Sequence, residues 1–443
     1  MISFLSKNNN SSNLLNFLFI LIPASFIAGN TILNLNILLL IFSTIFFYGK
    51  KIINIKIYIL DKIIFLLFLF IIIVGIYNFF NLQFFVTEQR YDLSINISVL
   101  AKTFSYTRYL ILYFILRFLI EQKIVNLKVF FISCTIFSLF VSFDVIYQFI
   151  FGKDIFGYEP SLGRKFAGPF GKEYIAGGYI QRFFLFSFFL IPFFLKDKNK
   201  IIFYLFSITL FLIYLVAIIL SGNRMPLVLF IFMTVLIFLF EKKVRRYLIY
   251  FLSTILIILI TAYHSNVLIK QNFSNFYKQL FSITKVLKTK QIHNSFNKKG
   301  MNSYLLEFRT FYGTWQMNKY TGGGVKSFRI NCWKRKNFIP GERTTCNTHP
   351  HNYYLEILTD LGLVGFIIFS LVFAIVIYRS FKNKYFTSSS LNNDNIITPF
   401  MFLFFIEIFP LKTSGSFFTT HNATYIFLIM AITVALFRRK NLN

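Results

Sequence analysis

Polar residues that could take part in catalysis or binding are concentrated at one place in this largely apolar chain, between Thr348 and Glu356. Two of the five histidines, His349 and His351, lie there, directly before Asn352. An unperturbed imidazole titrates near pH ~6.5, so either histidine is suited to take a proton from a reacting hydroxyl. The pattern has no further His or Cys at ligand spacing, so it does not predict a metal site.

The residues after this cluster predict a helix that begins at the edge of an apolar run. Asn352 is well placed to cap that helix with its side-chain oxygen. Glu356 and Asp360 are four residues apart, so they share one face of the helix. Acidic residues inside a membrane-spanning helix are costly, and they usually line a cavity or pair with a base.

Two arginines occupy unusual positions. Arg182 falls inside an apolar run, and Arg224 follows the tight turn Ser221-Gly222-Asn223. A single arginine at a helix end is most often an anchor that reaches toward the lipid headgroups. The planar guanidinium also grips phosphate oxygens through two parallel hydrogen bonds, so both residues are candidates for binding a phosphate group.

Composition identifies the kind of scaffold that must position these residues. The chain has 443 residues, of which 56% are hydrophobic and only 14% are charged, against about 25% charged in soluble domains. Such a composition excludes a soluble protein and a disordered one, and it predicts an integral membrane protein. The net charge of +30 is typical of nucleic-acid binders. Because the basic residues lie between apolar runs, we predict no nucleic-acid partner.

About twelve apolar runs are long enough for membrane-spanning helices: 14–28, 31–47, 59–80, 98–119, 128–151, 173–195, 200–220, 224–240, 246–263, 353–378, 396–411 and 421–437. The fold class predicted is therefore all-α, with helices 1 to 9 in residues 1–263 and helices 10 to 12 in residues 353–443. No cleavable signal peptide is predicted, because the first run lacks a small-residue cleavage site. Every second loop is rich in Lys and Arg, which predicts that both termini are cytoplasmic.

Residues 264–352 form the large loop on the outer side in this topology. The loop holds 15 Lys and Arg but only two acidic residues, which favours either an anionic partner or attraction to lipid headgroups. Cys332 and Cys346 lie in it, 14 positions apart, and an oxidising compartment allows them to pair. The triple glycine Gly322-Gly323-Gly324 allows a sharp turn or close approach to a ligand.

Four stretches resemble the superfamily of O-antigen ligases and O-antigen polymerases, which are bacterial envelope glycosyltransferases. The first is the Ser221–Arg224 turn. The second is the Arg309-containing segment from Glu307 to Trp315. The third is the glycine turn followed by Phe328. The most specific is His351-Asn352 with Leu355-Glu356, Gly362 and Gly365, which resembles a His-Asn signature followed by Leu and two Gly.

The resemblance implies a multi-pass protein of the bacterial inner membrane with the architecture of membrane glycosyltransferases (GT-C-like) and a large periplasmic loop. It implies a glycan donor on undecaprenyl pyrophosphate, an acceptor that is lipid A core or a growing glycan, contact with membrane lipid, and no cofactor. His351 matches the family's histidine and is the predicted catalytic base, in an inverting reaction in which cationic side chains replace a metal. The predicted substrate-binding residues are Arg182, Arg224, Arg309, Arg329, His349, Asn352 and Glu356.

Three alternatives remain open from sequence. A polymerase that joins repeat units would use the same chemistry as a ligase that transfers a finished glycan. A twelve-helix transporter is a different class, and it would show internal repeats and helices broken near mid-membrane. An inactive scaffold is the third alternative, and the His and Arg residues argue against it.

Overall fold

A computed structural model of the protein describes most of the chain. The described residues are 10–81, 93–160, 165–194, 200–242, 248–265, 303–335, 346–386, 396–413 and 415–438, with the isolated positions 245, 267, 270–271, 274–275, 277–278 and 281. Much of the Lys-rich part of the large loop, 270–299, therefore lies outside the described residues.

Helices follow one another along the chain, and no β-strand occurs within these described ranges. The helices are α1 (Asn10–Ile20), α2 (Ile22–Ile27), α3 (Asn30–Ile53), α4 (Ile59–Phe80), α5 (Leu93–Tyr106), α6 (Arg108–Glu121), α7 (Leu127–Phe151), α8 (Ala176–Phe183), α9 (Leu185–Phe194), α10 (Lys200–Leu220), α11 (Arg224–Phe240), α12 (Leu248–Ser265), α13 (Ser303–Trp315), α14 (Phe328–Asn331), α15 (Tyr353–Phe381), α16 (Ile397–Glu407) and α17 (Thr420–Arg438).

Among the described residues, twelve apolar helical segments coincide with the twelve runs predicted from sequence. By length and composition, seven can cross a membrane: Asn10–Ile27, Asn30–Ile53, Ile59–Phe80, Ile97–Glu121, Leu127–Phe151, Tyr353–Phe386 and Thr420–Arg438. Five are shorter: Ala176–Ile191, Tyr204–Leu220, Arg224–Phe240, Ile249–Ser265 and Ile397–Glu407. Large apolar side chains cover their outer surface, including Phe46 (83% exposed), Leu205 (60%) and Ile257 (63%). An all-α membrane protein is therefore confirmed, because such a surface suits lipid rather than water.

Helix α17 runs through the centre of the bundle. Its side chains from Asn422 to Arg438 are all buried, which is typical of a helix surrounded by others. It packs against α3, α6, α15 and α16. The polar residues Thr420, His421 and Asn422 begin this helix, and Arg438 ends it.

A buried ionic cluster holds the Arg438 end of α17. Asp61 of α4 lies 2.7 Å from Arg117 and 3.0 Å from Arg438, and it accepts a hydrogen bond of 2.7 Å from the Tyr113 hydroxyl. In the sequence, Arg438 stands with Arg439 and Lys440 in a basic stretch of the kind that predicts a cytoplasmic position. In the structure it is only 3% exposed, because the carboxylate of Asp61 compensates its charge inside the bundle.

Helix α15 is broken at Gly362, whose φ of 64° and ψ of −168° are not helical. The break frees backbone groups, which must be satisfied by other protein groups inside a membrane. A turn of the large loop supplies them through backbone hydrogen bonds from Gly323 to Thr359 (3.1 Å), Gly324 to Asp360 (2.8 Å), Leu363 to Lys319 (2.8 Å) and Val364 to Tyr320 (3.1 Å). The triple glycine thus forms a sharp turn that approaches the backbone of α15 closely.

Candidate functional site

Asn352 organises the start of α15. Its side-chain oxygen accepts hydrogen bonds from the backbone N–H groups of Tyr354 (3.0 Å) and Leu355 (3.2 Å), so the predicted helix cap is confirmed. Its amide nitrogen donates to the carbonyls of Pro410 (2.7 Å) and Lys412 (3.2 Å). One side chain therefore joins the histidine segment to the loop between α16 and α17.

His351 lies immediately before this cap, in a left-handed backbone conformation with φ of 52°. The Asn347 amide nitrogen is 3.2 Å from its Nε2. In the tautomer whose Nε2 accepts from the Asn347 amide, this nitrogen carries the lone pair that a general base needs. The His349 ring packs edge-on against His351, with 4.4 Å between ring centroids. The structure thus places the two histidines of the motif side by side.

Arg182 on α8 is buried in a dense polar cluster. Its Nε and Nη2 donate to the two carboxylate oxygens of Glu407, at 3.1 and 2.6 Å. Nη2 also donates to Asn422 Oδ1 at 2.7 Å, and Nη1 lies 2.9 Å from Nδ1 of His421. The ring of Tyr425 lies 4.8 Å from the centre of the guanidinium. Every nitrogen of the guanidinium therefore has a protein partner in this structure.

Lys412 shares the Glu407 carboxylate with Arg182. Its Nζ is 2.7 Å from Glu407 Oε2, and the Tyr353 hydroxyl donates to Glu407 Oε1 at 2.7 Å. Burial lowers the pKa of Lys412 to about 8, although the negative charge of Glu407 opposes this shift. Two cations around one carboxylate leave one positive charge uncompensated within this group of three.

Sequence analysis missed five members of this cluster, namely Glu407, Lys412, His421, Asn422 and Tyr425. A signal existed for Glu407, because an acidic residue within an apolar helix generally marks a functional site or an ion pair. Lys412 lies in the loop after α16, and His421 lies in the first turn of α17. Polar residues are common at both kinds of position. Only their contacts with the Arg182–Glu407 pair distinguish them from ordinary residues of the membrane boundary.

Arg224 begins α11, next to the helix that carries Arg182. The turn before it packs closely on Gly177 of α8: a Cβ added to Gly177 would overlap the Ser221 hydroxyl and lie 3.0 Å from the Asn223 side chain. Arg182 is five residues further along α8, about 7.5 Å by helical rise. The two predicted phosphate-binding arginines therefore lie on neighbouring elements.

The large loop contributes a helical layer that packs on the start of α15. Phe311 of α13, Phe328 of α14 and Cys332 form a small apolar cluster, against which Leu355 and Leu358 of α15 pack. Cys332 and Cys346 form a disulfide, with 5.6 Å between their Cα atoms. These contacts hold the loop helices beside the histidine segment.

The two predicted arginines of the loop lie in this layer and are half-buried, Arg309 on α13 and Arg329 on α14. Glu307, two residues before Arg309, lies near enough to His351 for their charges to interact. Burial raises the pKa of Glu307, and the nearby His351 opposes the shift. The structure thus associates α13 with the histidine pair.

Glu356 and Asp360 each hold a loop by hydrogen bonds rather than by an ion pair. Glu356 accepts from the Ser416 hydroxyl (2.6 Å) and the Phe417 backbone N–H. Asp360 accepts from the backbone N–H groups of Lys326 (2.6 Å) and Phe328 (3.1 Å) and from the Ser327 hydroxyl (3.1 Å). The carboxylate of Glu356 is buried against the 416–417 loop. The substrate contact predicted for Glu356 remains a prediction.

A short path of contacts joins the predicted base to the predicted phosphate-binding residue. It runs from His351 to its neighbour Asn352, then to Lys412, Glu407 and Arg182. The structure thus connects the histidine segment to the buried cationic cluster on an all-helical membrane scaffold.

Residues 209–370 match the family model described as O-antigen ligase. The match confirms the resemblance to the O-antigen ligase and polymerase superfamily and includes Arg224, Arg309, Arg329 and His351. It implies glycosyltransferase-like activity with a lipid-linked glycan and a glycan acceptor, in a multi-pass membrane protein. Arg182, Glu407 and Lys412 lie outside the matched residues. A comparison with curated proteins finds no match.

Proposed function

We propose that this protein transfers a glycan from undecaprenyl pyrophosphate to a hydroxyl of lipid A core, on the periplasmic side of the bacterial inner membrane. The observation that carries this proposal is the contact path between His351 and Arg182. A base for the acceptor hydroxyl and cations for the leaving group are both needed within one site, and the path supplies both.

The reaction follows from the roles of these groups. His351 takes the proton of the acceptor hydroxyl as its oxygen forms a bond to C1 of the donor sugar. The bond between C1 and the pyrophosphate oxygen breaks, and its electron pair leaves with undecaprenyl pyrophosphate. Attack opposite the leaving group inverts the anomeric centre. His349 packs against His351 and restricts its ring, and Asn352 holds the backbone next to it.

Positive charge must stabilise the departing pyrophosphate, and cationic side chains supply it without a metal in this scheme. Arg182 and Arg224 are the principal candidates, since they lie on neighbouring elements, and Arg309 and Arg329 give support from the loop layer. The Arg182 cluster keeps an uncompensated positive charge despite Glu407. In a buried site such a charge acts on an anion more strongly than it would in water.

The proposed topology has both termini in the cytoplasm and residues 264–352 in the periplasm. The alternation of Lys- and Arg-rich loops supports it. The Cys332–Cys346 disulfide supports it too, because disulfides persist in oxidising compartments.

In this scheme Glu356 serves the site indirectly, by holding the 416–417 loop beside α15.

The hydrogen bonding of the broken segment of α15 argues against a transporter. Broken helices in transporters expose backbone groups to substrates or ions. Here residues of the large loop pair with the freed carbonyls of Thr359 and Asp360 and with the freed N–H groups of Leu363 and Val364.

Deleting the gene in its native host and separating the lipopolysaccharide on a gel tests the proposal. A ligase predicts bare core together with accumulated lipid-linked polymer, restored by wild-type protein but not by the His351→Ala variant. Core that carries a single repeat unit would instead identify a polymerase. Unchanged lipopolysaccharide would contradict both activities.

A further inference from the structure

Lys412 is the member of the buried cluster whose hydrogen-bonding capacity is least used. An ammonium group has three donors. In the part of the chain that the structure describes, its Nζ has one acidic partner, Glu407 at 2.7 Å, and no further hydrogen-bond acceptor. Arg182, by contrast, uses its nitrogens on Glu407, His421 and Asn422.

The ammonium group of Lys412 is buried beneath an exposed part of its loop. Its neighbour Leu411 is 76% exposed, while the Lys412 side chain turns inward and is only 9% exposed. Its carbonyl is held by Asn352, the residue next to His351. The ammonium therefore lies between the surface of the loop and the buried Arg182–Glu407 pair, close to the predicted base.

We propose that Lys412 is a donor-binding residue whose ammonium group contacts the pyrophosphate of the lipid-linked glycan. This inference rests on the proposed function and adds a residue that the family match does not cover. Glu407 holds the ammonium in place in the free protein, and the pyrophosphate oxygens occupy the remaining donors when the donor binds.

Charge balance agrees with this role. A pyrophosphate diester carries two negative charges. Arg182, Lys412 and Glu407 together carry one positive charge, which offsets one of the two. Without Lys412, the Arg182–Glu407 pair would be neutral and would attract the donor only weakly.

Binding of inorganic pyrophosphate to the purified full-length protein in detergent tests the inference, with calorimetric titration as the readout. Lys412→Met removes the charge but retains the length of the side chain. Glu407 keeps Arg182 and Tyr353 as partners in this variant, so folding should survive. A hydrogen bond to a charged group contributes about 1.5–3 kcal/mol, so we expect the Kd for pyrophosphate to rise about tenfold or more. Lys172→Met, at an exposed position, is the matched control and should bind like wild type.

Lys412→Gln and Lys412→Arg complete the series. The neutral glutamine should weaken pyrophosphate binding as methionine does, and it decides the question if the methionine variant does not fold. Arginine keeps the charge and should bind within about threefold of wild type. A folded neutral variant with the wild-type Kd would overturn the inference, even if its melting temperature fell, because that pattern describes a purely structural lysine.

This test separates the inference from the proposed function. Wild-type protein that binds no pyrophosphate would contradict both. Wild-type protein that binds pyrophosphate through Lys412, but whose deletion leaves lipopolysaccharide unchanged, would retain the binding residue and refute the ligase assignment.

Discussion

Arg182 and Glu407 lie 225 positions apart in the chain and form a buried ion pair with two hydrogen bonds, of 3.1 and 2.6 Å. Nε and Nη2 of the guanidinium each contact one oxygen of the carboxylate, a geometry that only a planar fork can provide. The pair connects α8 to α16. Asn422 and His421 add the start of α17 to the same guanidinium, so three helices meet at one side chain.

Replacing Arg182 with lysine should disrupt this junction although it keeps the charge. An ammonium cannot contact both Glu407 oxygens, Asn422 and His421 at once. We expect glycan transfer to fall about tenfold or more, and the free energy of unfolding to drop by about 1–3 kcal/mol. Transfer assays and thermal melting of the purified protein measure these effects. Arg245→Lys, at an exposed position, should change neither quantity, and a fully active Arg182→Lys protein would show that the fork is dispensable.

His351→Ala should abolish transfer while leaving pyrophosphate binding within about threefold of wild type. A general base acts in the transition state and typically contributes about 10²–10⁴-fold to the rate, whereas ground-state binding depends on the cations. Single-turnover kinetics beside equilibrium binding separates the two effects. His349→Ala is the matched comparison and should retain more activity. The reverse order, with His349→Ala inactive and His351→Ala normal, would move the base by two residues.

Raising the pH should weaken pyrophosphate binding, because the Lys412 ammonium loses its proton and its charge. Burial lowers its pKa to about 8, so the ammonium is charged at pH 7 and loses its proton as the pH passes about 8. Its charged and polar neighbours are Glu407, Arg182 and Tyr353. We expect the ratio of wild-type to Lys412→Arg affinity to fall between pH 7 and 9, because arginine stays charged and the titration of pyrophosphate itself cancels in the ratio. A constant ratio would contradict a titrating lysine at the site.

Gly362→Ala should destabilise the junction between the large loop and α15. Gly362 has a φ of +64°, and an added Cβ would overlap the Tyr320 carbonyl. Left-handed strain and the steric overlap together should cost about 1–3 kcal/mol. Limited proteolysis near residues 319–328 should accelerate, and the melting temperature should fall. Gly178→Ala is the control: its Cβ would meet no atom within 4 Å, so alanine should be tolerated in α8.

Removing the disulfide with Cys332→Ser should lower stability by about 3 kcal/mol, because the bond restricts a short loop in the unfolded chain. Unreduced, denatured wild-type protein should alkylate only at Cys134, and reduction should expose two further thiols. Alkylation of all three cysteines before reduction would show that the Cys332–Cys346 bond does not form in the cell.

Sequence alone determined the class of this protein and one end of its site. Composition and the length of the apolar runs predicted an all-α membrane protein, because hydropathy is a local property of consecutive residues. The Asn352 cap is equally local, since its partners are the backbone groups two and three residues ahead. The resemblance of the His351-Asn352 motif to the O-antigen ligase superfamily is local for the same reason, as its spacing can be read directly.

Only the tertiary structure decided which distant groups share the site. Arg182 was predicted from its position within an apolar run, but Glu407 and Lys412 were not, because an ion pair depends on how helices pack rather than on neighbouring residues. The same holds for Arg438, which Asp61 draws into the bundle, and for the glycine turn that repairs the break at Gly362. In each case the cost of burying a polar group is met by a partner far away in the chain, so no local pattern could reveal it.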